Sequence, residues 1–208
     1  MSTSRTGRSR LDPAFDGPGE AGVDEAGRGP LAGPLTVAVV LLDPAHPIVG
    51  LDDSKRLSAT RREGLAAMIR ARALAWHVEW VEAEEIDASD ILRATLAGMR
   101  RAILALDPAP TRVWVDGMQV PTGLDRPAQA LIGGDGRVAA IAAASILAKV
   151  ARDARMCELE IEYPGYGFAR HKGYPSPAHL EALRRLGPCL EHRQSFRPVR
   201  EWRVAGRD

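Results

Sequence analysis

The 208-residue chain contains no asparagine, only three lysines among its 28 basic residues, two cysteines and 5% aromatic residues. Each shortage excludes something. Cys157 and Cys189 lie in different segments, with neither a CxxC pair nor zinc-finger spacing, which excludes a disulfide scaffold and a structural zinc site. They read as reduced thiols of a cytoplasmic protein. No apolar run approaches the roughly 18 to 20 residues that a bilayer span needs; the longest, Leu35 to Leu42 (LTVAVVLL), has the length of a strand, so a membrane role is excluded. The first ten residues, MSTSRTGRSR, have no hydrophobic stretch and no apolar face, and are expected to form a disordered basic tail rather than a targeting segment. Internal repeats and low-complexity blocks are also absent.

What is present is a globular composition, 45% hydrophobic and 26% charged, in a chain long enough for one sizeable core. The net charge of +1 conceals an asymmetry. Residues 1–10 carry three arginines and no acid, and residues 163–208 carry nine basic residues against four acidic ones. The 152 residues between hold 16 basic against 23 acidic, a net of −7. An acidic middle with basic flanks suits a carboxylate metal site that must also hold a polyanion, although an Arg-rich tail is commonly a solvated surface. Against the arginine bias, Lys55, Lys149 and Lys172 stand out, since a compact ammonium does what a guanidinium cannot.

Hydrophobic periodicity predicts a strand over 21–26, a Gly- and Pro-rich turn, and an antiparallel partner over 35–42. A capping box at Thr60 and Glu63 predicts a helix to about residue 73. Trp76, Val78 and Trp80 alternate with His77 and Glu79 as a third strand with one buried face. Ser89 is read as the cap of a helix carrying Leu92, Leu96, Met99, Ile103 and Leu106. Strands at 111–116 and 128–132 follow. Residues 138–161 form a long helix whose first half, AAIAAASILAKV, is too apolar and small-sided for a surface helix and is expected to cross the core against the sheet. Ser176-Pro177 opens a last helix that Gly187-Pro188 closes. The whole predicts an α/β fold with a mixed sheet and a helical C-terminal section. Residues 1–18 are assigned to the tail, and 19–208 to one catalytic domain that includes the C-terminal section from about 163.

The string GPGEAG at 17–22 matches a dinucleotide-binding pattern, but a polar tail precedes it and a strand follows, so that mechanism is rejected. The chemistry lies in carboxylates at strand ends. Asp24 and Glu25 end the first strand, Asp116 ends the fourth, and Asp135 sits in a Gly-rich turn before the long helix. Oxygen ligands without His or Cys favour Mg²⁺ or Mn²⁺ over zinc. Taken singly, Asp116-Gly117 and Asp135-Gly136 are also ordinary turn dipeptides. Adjacent strand residues point to opposite faces, so Asp24 and Glu25 reach one site only if the strand has begun to turn, as the following GRG suggests. Gly27-Arg28-Gly29 would expose backbone groups to a sugar or phosphate, or simply form a tight hairpin.

Six strings in order, GVDEAGRGPLAGPLTVAVV, DDSKRLS, VWVDG, GGDGRVAAIAAASILAKVARD, YPGYGFARHKGYPSPAHL and GPCLEHRQSFRPV, closely resemble bacterial ribonuclease HII, the type 2 ribonuclease H, over about residues 20–200. The lack of an extra N-terminal domain speaks against the related ribonuclease HIII. The resemblance implies a ribonuclease H-like fold, and an endonuclease that hydrolyses the RNA strand of RNA/DNA hybrids. It further implies nicking 5′ to single ribonucleotides embedded in duplex DNA, leaving a 3′-hydroxyl and a 5′-phosphate. It places the catalytic and metal-binding acids at Asp24, Glu25, Asp116 and Asp135, with two Mg²⁺ or Mn²⁺ ions about 4 Å apart, and Asp24 and Asp116 at the shared position. Gly27, Arg28 and Gly29 match the element that reads the ribonucleotide 2′-hydroxyl, and Tyr174 matches a tyrosine whose ring packs on the following deoxyribose. Lys55 and Lys172 are expected to contact phosphates, Lys149 to do so or to orient an acid, and Asp153, about 27 Å along the helix from Asp135, to be structural. GGDG stands where many relatives carry KGD, so a basic residue beside the fourth acid is missing. The alternative is a binding module for hybrids on the same scaffold without catalysis. No convincing sliding-clamp peptide is seen, and a monomer is expected.

Overall fold

The computed structural model describes residues 11–15 and 17–205. Its centre is a five-stranded mixed sheet built from β1 (Glu20–Ala26), β2 (Leu35–Leu41), β3 (Ala75–Val81), β4 (Arg112–Asp116) and β5 (Ala128–Leu131), in the order β3-β2-β1-β4-β5. The pairs β1–β2 and β2–β3 are antiparallel, while β1–β4 and β4–β5 are parallel. β2 is buried along its whole length, which explains why LTVAVVL reads as an unbroken apolar run rather than an alternating one.

Helices cover both faces. Odd-numbered residues of the two central strands, among them Ala21, Val23, Val113 and Val115, pack with Met99, Ala102 and Ile103 of α3 (Ile91–Leu104). On the other face, Ala38 and Val40 meet Leu65 and Ile69 of α1 (Ala59–Arg72) and the apolar half of α4 (Ala139–Glu162). α4 lies directly on β1: a Cβ at Gly22 would run into the backbone of Ala140 and Ile141. That approach needs small side chains on both elements, which is the physical reason for the Ala-rich helix. α5 (Phe168–His171), α6 (Pro177–Leu186) and α7 (Arg197–Ala205) form the C-terminal section, joined to α4 through Ala32, Met156, Leu159, Tyr166 and Phe168.

Several local expectations need correction. The cap of α1 is Ser58, whose hydroxyl accepts from the Arg61 amide, two residues ahead of Thr60. Asp90, accepting from the amides of Leu92 and Arg93, caps α3; Ser89 instead ends the short α2 (Ala83–Ala88), which the periodicity did not reveal. The alternation in β3 is real, but its tryptophan face is the open one, Trp76 and Trp80 being 39% and 37% exposed, while Ala75 and Val81 are buried. β3 is an edge strand, and Glu79 on its inner side is held by Arg101 at 2.6 Å. Part of the expected tail is packed: the Asp12 amide donates to the Arg137 carbonyl at 2.7 Å, and Phe15 meets Trp114 edge-on. Residues 1–10 lie outside the described residues.

His192 is wholly buried in the C-terminal section. Burial, then the neighbouring His179, pull its pKa down to about 4. The folded chain therefore refuses a proton that the unfolded chain takes up near pH 6.5. The associated stability is complete above about pH 6.5 and is lost as pH falls towards 4, with a slope of at most about 1.4 kcal/mol per pH unit. Urea unfolding at pH 7, 5.5 and 4.5 should show a steeper loss in the natural protein than in His192→Gln; equal slopes would contradict this.

Candidate active site

Val23 of β1 is registered with Val115 of parallel β4. The next residues, Asp24 and Asp116, are consequently neighbours on the same face at the carboxyl ends of adjacent strands. That is where open α/β sheets bind ligands. Asp135 arrives from the next strand over, in a 3₁₀ turn (Gly134–Gly136) following β5. The Gly134 amide of that turn donates to Asp116 Oδ1 at 2.7 Å and orients it. The ladder does not turn after Asp24, contrary to expectation: Glu25 still pairs with Val37 and Ala26 with Thr36. Glu25 thus belongs to the α3 face, and it reaches the other acids from the strand's opposite side.

Asp24 is the most enclosed acid. It accepts from the Glu25 amide at 2.7 Å, and the Ser145 hydroxyl, itself 2.9 Å from Ser54 Oγ, also bonds to it. Burial, then the charges of Glu25 and Asp116, push its pKa well above the usual carboxylate range. Glu25 is raised by burial and by Asp116, against the pull of Arg28 at 3.8 Å and of Lys55. Asp135 is raised by burial, Asp116 and Asp53, opposed by Lys55 at 3.8 Å. Asp116 is thus the charge that all three others feel. Burial lowers the pKa of Lys55, but Asp135, Asp53, Asp24 and Asp116 outweigh it and hold the ammonium charged.

Asp24 and Glu25 open into a cavity of about 360 Å³ whose other walls include Gly27 to Gly29, Lys55, Lys149 and Tyr174. Glu25 and Asp116 also border a second cleft, of about 170 Å³, floored by Leu92, Leu96 and Met99. Four carboxylates against Lys55 and Arg28 leave the site short of positive charge, and their hard oxygen donors fit a divalent cation of the Mg²⁺ or Mn²⁺ kind. Among the described residues no three His, Cys, Asp or Glu side chains already stand at metal-holding spacing.

The chain's likeness to known proteins agrees with this geometry. A family model described as Ribonuclease HII matches residues 21–199. The chain belongs to the ribonuclease HII family. That makes it a hydrolase and an endonuclease of the ribonuclease H class. It is 58% identical over 186 residues to a Ribonuclease HII of Laribacter hongkongensis, covering 89% of this chain and 94% of that one. A crystal structure of ribonuclease H2 from Pyrococcus horikoshii superposes with a TM-score of 0.79 at 27% identity, over 91% of this chain and 99% of that one. A ribonuclease HII from Archaeoglobus fulgidus, solved in complex with PCNA, gives 0.73 at 28%, over 88% and 96%.

The remaining residues named from the ribonuclease HII resemblance divide. Gly27, Arg28 and Gly29 join the acids' cavity, and Tyr174 faces Gly29 across it, 3.6 Å from where a Cβ would stand. Lys149 enters the cavity wall, but its ammonium pairs with Asp153 at 2.7 Å rather than with one of the four acids. Lys172 is not brought into that cavity; its Nζ donates to the Asp153 carbonyl at 3.2 Å and lies 3.1 Å from Cys157 Sγ, over a separate depression.

Sequence reasoning missed Ser145, the one polar residue in AAIAAASILA, and two fully buried arginines. Arg152 of α4 donates to the carbonyls of Pro34, Lys172 and Ala32 at 2.9 to 3.2 Å. Arg193 donates to those of Gly27, Arg28 and Gly33 at 2.7 to 3.1 Å. With the Gly27 and Arg28 carbonyls turned to Arg193, the amides of these residues are the backbone groups left to offer a ligand. Gly27 has φ +102° and a Cβ there would strike the Arg152 guanidinium, whereas Gly29 has ordinary space around it. Gly27→Ala should therefore destabilise the fold by about 1 to 3 kcal/mol, and Gly29→Ala should leave thermal stability nearly unchanged while altering activity. Melting curves of both variants check the separation; equal losses would refute it.

Proposed function

We propose that this chain hydrolyses the RNA strand of RNA/DNA hybrids and nicks duplex DNA 5′ to single embedded ribonucleotides, using Asp24, Glu25, Asp116 and Asp135 to hold two divalent cations, Mg²⁺ or Mn²⁺. The observation that carries the reading is the side-by-side placement of Asp24 and Asp116 at adjacent parallel strand ends, where Asp24 and Glu25 open into a cavity walled by the GRG element and Tyr174, and Asp135 approaches from the turn after β5. When bound, such cations supply Lewis-acid stabilisation of the phosphoryl group and a water of lowered pKa.

The chain's own residues do the rest. Asp116, oriented by the Gly134 amide and felt by the other three acids, would hold the cations together with Asp24. Lys55, charged and 83% exposed at its side chain, is free to swing onto a substrate phosphate from its contact with Asp135. The amides of the GRG element meet the 2′-hydroxyl, the group that distinguishes RNA from DNA. Tyr174 packs its ring on the deoxyribose that follows, which sets the cut on the 5′ side of the ribonucleotide and leaves a 3′-hydroxyl and a 5′-phosphate. Lys172, outside the cavity, serves the strand farther along.

Residues 19–208 act as one catalytic domain, as a monomer, in the cytoplasm, where Cys157 and Cys189 remain free thiols. Among the described residues no helix is long and apolar enough to cross a membrane.

The deciding experiment is cleavage of a labelled duplex carrying one ribonucleotide, with Mg²⁺, Mn²⁺ or EDTA, by the natural protein and Asp116→Asn. Metal-dependent nicking 5′ to the ribonucleotide should fall at least about a hundredfold in the variant, about 2.7 kcal/mol of transition-state stabilisation. Tight binding without a cut under either metal would favour a binding module instead.

A further inference from the structure

Next to the turn that bears Tyr174, three histidines pack together. The rings of His171 and His179 stack with centroids 4.4 Å apart and planes 14° from parallel, and His192 lies tilted against His179 at 5.3 Å. Phe168 stands edge-on to both members of the stack. His179 and His192 are wholly buried, and neither makes a salt bridge among the described residues.

Main-chain partners determine every tautomer. The Cys189 amide donates to His192 Nδ1 at 3.0 Å, so that nitrogen carries no proton. The proton of His192 is then on Nε2, which donates to His179 Nε2 at 3.1 Å. His179 must in turn be protonated at Nδ1, from which it donates to the Tyr174 carbonyl at 2.9 Å. His171 is fixed in the same way, accepting at Nδ1 from the Gly173 amide at 3.2 Å and donating from Nε2 to the Tyr166 carbonyl at 2.8 Å. The result is a one-way chain of donors from the Cys189 main chain, through two neutral imidazoles, to the main chain of Tyr174. It operates only while both rings are neutral, because an imidazolium would turn two N–H groups towards each other. Burial depresses the pKa of both rings, in keeping with that requirement.

The chain ends on the turn that bears the ring facing the ribonucleotide element. From the front, the Leu31 amide donates to the Gly173 carbonyl at 2.8 Å and Arg152 to the Lys172 carbonyl at 3.0 Å, clamping the turn to the loop that follows β1. From behind, His179 grips the next carbonyl along. We propose that His179 is a positioning residue for substrate discrimination: with its tautomer locked by His192, it sets the stance of Tyr174 against Gly29, and so the preference for a ribonucleotide followed by a deoxyribonucleotide. This rests on the reading of Tyr174 given above.

The test compares kcat/KM on a duplex with a single ribonucleotide and on a uniform RNA/DNA hybrid, and follows the ratio of the two. His179→Asn keeps an amide donor where Nδ1 stands and should retain most of the ratio. His179→Gln, whose amide is displaced towards the Nε2 position, and His179→Leu should lower the ratio at least about fivefold, mainly through KM for the single-ribonucleotide duplex. Circular dichroism and melting curves identify folded variants, and the Asn–Gln comparison decides the matter if Leu fails to fold. In a Tyr174→Ala background, His179→Gln should change the ratio no further. The inference is overturned if folded His179→Gln slows both substrates equally, or lowers the ratio just as much without the Tyr174 ring. A ratio unchanged in Tyr174→Ala would remove the reading of Tyr174 itself, and this inference with it; a ratio lowered in Tyr174→Ala but not in His179→Gln would overturn the inference alone.

Discussion

Two guanidinium groups, buried with no carboxylate in a salt bridge to them among the described residues, constrain the loop between β1 and β2. Arg152 comes from the middle of α4 and Arg193 from the segment before α7, and together they take up the carbonyls of Gly27, Arg28, Ala32, Gly33 and Pro34, with Lys172 as a sixth. Desolvating a charge is costly, and here the offset is a full set of hydrogen bonds to main-chain oxygens. The desolvation shows in the pKa values: burial lowers Arg152 to about 10, and burial with the nearby Arg152 charge lowers Arg193 to about 9. Both stay charged at neutral pH, so moving the loop would strand two cations in the interior. The loop is therefore rigid, and everything mounted on it inherits that rigidity.

Three parts of the site depend on this clamp. The GRG element is held with the Gly27 and Arg28 carbonyls inward. The turn bearing Tyr174 is tied to the same loop through the Lys172 carbonyl and the Leu31 amide. The C-terminal section is attached to the sheet domain through Arg193, whose guanidinium also lies over the Phe196 ring at 5.1 Å. The carboxylates need a different support, because they repel one another. Asp24 is held by the Glu25 amide and Ser145, and Asp116 by the Gly134 amide, so neutral donors supply local orientation without cancelling the charge that a cation would meet. The site is thus held firmly at the GRG element and Tyr174 and left electrostatically unsatisfied at the carboxylates.

Much of this was legible in the sequence. The strands, the long helix and the last capped helix leave local signals: apolar alternation or runs, small residues, and Ser-Pro and Gly-Pro at helix ends. The four acids drew attention in the sequence because they stand at or just past predicted strand ends near glycines, and the GRG element because its motif is contiguous. The caps of α1 and α3 were misplaced by one or two residues because several Ser, Thr and Asp residues compete at each start. The open face of β3 was misjudged because alternation reveals two faces without saying which one meets the core. α2, α5 and α7 are too short or too polar for periodicity to show them.

The sequence by itself determined which residues could form strands and helices, where the carboxylates would lie along the chain, and that their donor set suits a hard divalent cation. These are local properties, carried by side-chain size, period and turn chemistry within a few residues. Only the tertiary structure decided that Asp24 and Asp116 stand side by side while Glu25 approaches from the opposite face, and that Lys149 serves Asp153. It alone assigned Arg152, Arg193, Ser145 and the histidines their partners. Those pairings join residues up to 166 positions apart. A buried charge or imidazole is decided by which carbonyls the fold brings within reach, and no local pattern in the chain records that.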